Sequence, residues 1–156
     1  MRRVFCVYKA SAKQIWTTIP MNTQPQSNAI MLEVGAGEMI DKITILVIKS
    51  ERITDPDKLK NVRHELDVLQ TAKAENVVSS PELEALEAQL KAVNEALWEI
   101  EDDIRQCEAD RNFGDEFIAL ARSVYKQNDK RAALKKDINL LVGSAIIEEK
   151  SYTEFN

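Results

Sequence analysis

Glycine and proline are scarce, four of each in 156 residues, and there is one histidine. A sandwich or barrel of this length needs many tight turns, and tight turns draw on Gly and Pro. Their scarcity favours a few long elements, helices above all. The lone His64 leaves no histidine cluster for a metal, and no nucleophile–base pair with a third orienting group stands out. The two cysteines, Cys6 and Cys107, form no Cys-x-x-Cys and no dense pattern. Neither a disulfide scaffold nor a thiolate metal site is therefore expected, and a reducing, cytoplasmic setting is. No apolar run approaches the roughly 20 residues of a membrane span.

Charge of one sign is missing locally. Residues 1–30 hold Arg2, Arg3, Lys9 and Lys13 and no acid, whereas the rest of the chain sets 26 acids against 17 bases, a net −9. An acidic body argues against nucleic acid as a partner, because phosphate binding needs clustered cations. The basic stretch 1–30, with Pro20 and Pro25 in a polar loop-like run, reads as a flexible leader. It is either a transit peptide or, the favoured reading, an upstream extension with Met31 as the true start. One helical domain is expected over 31–150, followed by a tail at 151–156.

What the chain does have is apolar residues, 44% of the total, at helical spacing. Met31 to Val34 could form a short extended piece before a turn at Gly35 and Gly37. Glu38 then opens a first helix with a broad apolar face through Ile53. The β-branched residues in it make strand the rival, but the polar spacing of Asp41, Lys42, Lys49 and Glu51 favours helix. Asp55 caps a second helix with Pro56 at its first position, running to about Lys73. Ser79 and Glu82 predict a capping box for the third. Leu83, Leu86, Leu90, Val93, Leu97, Ile100, Ile104 and Cys107 then follow spacings of three and four over more than three heptads, to a helix end near Ala109. Phe117, Leu120, Val124, Gln127, Arg131, Leu134, Ile138 and Leu141 repeat the pattern, ending at Gly143 as C-cap. The fold class is all-α: a bundle built on a long antiparallel, coiled-coil-like hairpin of helices three and four, with helices one and two packed on it.

Gln127 and Arg131 break the apolar stripe of helix four. Residues facing across a turn centred near 112 have numbers summing to about 223, which sets Arg131 beside Ala92 to Glu95. Glu95, Glu99 and Asp102, with Asp103, share one face of helix three, and Asn128, Arg131 and Lys135 share one face of helix four. A charged residue on a seam is costly unless paired, so Arg131 is expected to meet Glu95 or Glu99. The bland competitor for this candidate site is a polar layer that only fixes helix register, and it is the first choice. A ligand pocket comes second and catalysis last. A secondary cluster of Glu38, Asp41 and Lys42 opens helix one, where two acids argue against an anion ligand.

Metal is not expected. Glu84-x-x-Glu87 and Glu99-x-x-Asp102 match, as strings, the paired carboxylate motifs of helical pyrophosphohydrolases. They lie on one helix about 20 Å apart at ~1.5 Å per residue, too far to share an ion. His64 reads as a surface residue and Cys107 as a small buried hydrophobe.

Gly37-Glu38-Met39-Ile40-Asp41-Lys42-Ile43-Thr44-Ile45-Leu46 with Glu51-Arg52-Ile53 resembles the opening block of a small bacterial and phage family of uncharacterised helical proteins, which carries a similar "GELIDK" sequence. Leu97 to Arg105, Asn128 to Ala132 and Glu148 to Tyr152 are similar too, so the resemblance covers about residues 31–152. It implies no activity and no cofactor. Members in polysaccharide or glycosyltransferase settings imply an association with cell-surface polysaccharide assembly. The expectation is a non-enzymatic interaction or accessory protein. The heptad seams are long for one small domain and favour a homo-oligomer or a protein partner. The alternative is a small-molecule binder or enzyme using the polar layer between helices three and four.

Overall fold

The computed structural model describes residues 30–151. The leader read over 1–30 and the tail over 151–156 lie outside the described residues, apart from Ile30 and Ser151. Among the described residues, Glu33 to Ser151 form one compact unit. Among the described residues all regular structure is helical: α1 Ala36–Arg52, α2 Pro56–Asn76, α3 Pro81–Ala109 and α4 Asp115–Val142. Met31 to Val34 joins no strand.

α1 is the central element and packs against each of the other three helices. That position explains its breadth of apolar and β-branched residues, since a helix surrounded by protein needs no polar stripe. Ile40, Ile43, Leu46 and Ile48 are buried, and so are Asp41 and Thr44. Glu38 lies in its first turn and Lys49 and Arg52 in its last, each sign matching the helix dipole.

α2 starts as the sequence predicts. Asp55 accepts hydrogen bonds from the N–H groups of Asp57 and Lys58 at 2.9 and 3.1 Å, with Pro56 inside the start. No residue of α2 is fully buried. Its backbone lies close to α1 alone among the helices, and its Lys73 reaches Glu87 of α3 at 2.5 Å.

α3 corrects one expectation. Its cap is Ser80, which accepts the Leu83 N–H at 3.2 Å; Ser79 instead donates to the Glu84 carboxylate at 2.9 Å. Two adjacent serines before a proline allow either register, and Pro81 occupies the first helical position when Ser80 caps. All eight seam residues of α3 are buried or half-buried. Leu83 and Leu90, in its first third, form the core with Ile40 of α1 and Ile138 of α4, and Leu134 and Val142 pack against them. α4 ends at Gly143, whose φ of 67° is the left-handed conformation a C-cap glycine adopts without strain. The last residue assigned to its stripe, Leu141, is 46% exposed. It sits in the final turn, at the edge of the core.

Candidate functional site

The site begins with a close approach that only glycine allows. A Cβ on Gly37 would lie 2.3 Å from the carbonyl oxygen of Lys135, so α1 and α4 touch backbone to backbone there. The N-cap Gly35 offers no side chain to the first orphan N–H groups of α1. Asn139 of α4 fills that role across the contact: its Oδ1 accepts the Gly37 N–H at 2.7 Å, in a buried position.

Three positions four residues apart on α4, Arg131, Lys135 and Asn139, thus face α1. Lys135 bonds both Glu38 of α1 and Glu148, beyond α4. Arg131 bonds Asp41 through Nε at 2.8 and 3.0 Å and through Nη2 as well. The Asp41 carboxylate is 2% exposed and the Arg131 side chain 28%. From α3, Asn94 Nδ2 donates to Asp41 Oδ1 at 2.8 Å and to Thr44 Oγ1 at 2.9 Å. Thr44 in turn donates to the Asp41 carbonyl. A buried carboxylate is thereby clamped from α3 and α4 at once, which offsets the cost of removing it from water.

The electrostatics follow the contacts. The hydrogen bonds that Arg131 donates to Asp41 hold its guanidinium above its ordinary pKa. Burial alone would lower the Lys135 ammonium, but its bonds to Glu148 and Glu38 outweigh that and raise it. The bond from Lys135 holds the Glu148 carboxyl below its ordinary value. Burial raises the Cys107 thiol, and the nearby Glu116, Asp103 and Asp110 add to the shift.

The expected partner of Arg131 is therefore corrected. Neither Glu95 nor Glu99 reaches it: Glu95 bonds Lys91 at 2.5 Å on its own helix, and Glu99 bonds Arg52 of α1 at 2.6 Å. Asp41 takes their place because α1 lies against both α3 and α4. Asp102 and Asp103 are exposed on α3. Asn128 accepts from Arg131 Nη1 at a long 3.5 Å and donates to the Val124 carbonyl. Of the secondary cluster, Glu38 and Asp41 join the layer, whereas Lys42 turns to the surface and pairs with Glu65 of α2 at 2.6 Å. Thr44, Asn94, Asn139 and Glu148 belong to the network and were not singled out by the sequence. No spacing marked the asparagines: each follows a seam residue, Val93 or Ile138, but so do Glu84, Glu101 and Arg105, which are exposed.

Two cavities flank the layer. One of about 210 Å3 is bordered by Gly35, Glu38, Lys135, Asn139 and Glu148. The other, about 500 Å3, is an open cleft lined by Ile45, Asn94, Leu97, Trp98, Asp102 and Arg131, with Glu101 and Arg105 at its rim. Arg52 sits over the Trp98 ring, 5.8 Å from its centroid. Among the described residues no three His, Cys, Asp or Glu side chains are grouped to hold a metal ion; none of their helices is long and apolar enough to cross a membrane.

No curated protein and no solved structure matches the chain. A family model described as a family of unknown function, DUF6165, matches residues 30–155. The chain belongs to that family.

Proposed function

We propose that this protein is a non-enzymatic helical accessory module that works by holding partners. The carrying observation is how the buried charges are spent. Asp41, the most deeply buried ionisable group of the layer, uses its carboxylate on Arg131 and Asn94. A general acid or base must exchange protons with a substrate; a carboxylate clamped from two helices is built to fix register.

The same reading takes α3 and α4 as a long antiparallel hairpin. The packing of Leu83 and Leu90 with Ile138 supports the register. At ~1.5 Å per residue α3 is roughly 43 Å long and α1 roughly 25 Å, so the far half of the hairpin extends past the helix that covers its near half. A second copy of the chain is the proposed cover, consistent with an apolar seam that is only half-buried over Ile100, Ile104, Phe117 and Leu120. Light scattering on the full-length protein tests this. A dimer or higher assembly at micromolar concentration is expected, and a clean monomer overturns it. For the register role, Asp41→Leu combined with Arg131→Leu should stay folded and melt no lower than Asp41→Leu alone; a double variant less stable than the single removes the support.

A further inference from the structure

The cleft beside the polar layer is more than a dent in the surface. Its inner end is made by two groups whose orientation is locked from behind. Asn94 is 5% exposed and spends both contacts of its Nδ2 on Asp41 and Thr44, and its Oδ1 accepts no hydrogen bond from any described residue. Arg131 is gripped by Asp41 through Nε and Nη2, while Nη1 has only the 3.5 Å contact with Asn128. Asn94 and Arg131, one with an acceptor and the other with a donor to spare, line the same cleft. Further out, the Trp98 indole N–H and the Asp102 carboxylate have no hydrogen-bond partner among the described residues, and both line the cleft.

The charges of the lining cancel. Arg105 and Arg131 balance Glu101 and Asp102; Arg105 lies 3.5 Å from Glu101, and Arg131 is paired with Asp41 behind it. An anion meets two acids there, and a cation meets two guanidiniums. What the cleft offers is both donors and acceptors beside an indole, one face of which Arg52 covers and the other of which is left for a ligand. Hydroxyl groups, each both donor and acceptor, complement that array, and the C–H face of a saturated ring packs on an indole. The volume, about 500 Å3, lies within the range of small-molecule sites.

We infer that the cleft between Asn94, Trp98, Asp102 and Arg131 binds a neutral, polyhydroxylated small molecule of the sugar or cyclitol class. It deepens the accessory reading by giving the module a ligand to hold, and rests on that reading only in that the ligand is bound and not turned over. Because the cleft lies within one chain, self-association can fail without touching it.

The test is an NMR titration of the full-length, 15N-labelled protein. The probes are methyl α-D-glucoside, methyl α-D-mannoside, N-acetylglucosamine and myo-inositol, with glutamate and putrescine as charged controls. The readout is the Trp98 indole N–H resonance, assigned by its loss in Trp98→Phe. A saturable shift with at least one neutral probe is expected at up to about 50 mM, well past the ~1 mM scale of weak specific binding. Asp102→Ala, an exposed change that leaves the fold intact, should weaken that binding about tenfold; Glu75→Ala, on α2 and away from the cleft, should leave it unchanged. No saturable shift with any neutral probe, a response to glutamate or putrescine alone, or binding indifferent to Asp102→Ala overturns the inference.

Discussion

At the scale of single residues, the molecule is sensitive to losing one member of a buried charge pair. Asp41 is the sharpest case, with 2% of its side chain exposed. Removing it strands a half-buried guanidinium, so Asp41→Ala should cost about 3 kcal/mol, read as a lower midpoint in urea unfolding. The pairing of Lys135 with Glu148 makes a different, pH-dependent statement. Glu148 has its folded pKa lowered from 4.5 by the bond from Lys135. Its contribution is therefore complete above the unfolded value and is lost as pH falls through the lower folded one. Thermal melts of the wild type should decline on acidification below about pH 4.5, and Glu148→Gln should flatten part of that slope. Parallel slopes for the two proteins would show that the ion pair carries none of it.

At the scale of elements, much of the architecture was legible. Periodicity, caps and Gly143 located four helices with ends accurate to a few residues. They failed by one residue at Ser79 and Ser80, where composition alone could not choose the cap. Ser80→Ala should therefore lower stability by about 1 kcal/mol, and Ser79→Ala, which loses only an exposed bond to Glu84, by a few tenths at most; thermal melts of both variants decide it. The polar layer was half legible. The interruption of α4 identified Arg131, Lys135 and Asn128, but their partners were sought on the wrong helix. Periodicity reports which face of a helix is covered and says nothing of which neighbour covers it. Asp41 stands in the sequence only as part of the secondary cluster opening helix one, because its context, α1 wedged against two helices, exists only in three dimensions. Asn94 and Asn139 escaped notice because one polar residue beside a seam does not disturb the apolar count.

At the scale of the whole molecule, stability is unevenly shared. α1 is enclosed by three helices, whereas α2 buries no residue completely and packs its backbone on α1 alone. Amides of α2 should therefore exchange with solvent well before those of α1, since local opening follows the apolar contact an element gives up. Hydrogen exchange followed by mass spectrometry checks the order; equal protection of the two helices would mean that they open as one unit.

The contact between Gly37 and Asn139 ties two points 102 residues apart. On a ribosome, the leading edge of α1 emerges long before the asparagine that finishes it has been translated. Through that interval the helix lacks its terminal acceptor, and Asp41 and Glu38 lack their counter-ions. The nascent α1 can settle on α2 and α3 as they emerge, but its buried charges stay unanswered until the last helix clears the exit tunnel, and a transcript cut short before that helix leaves them so.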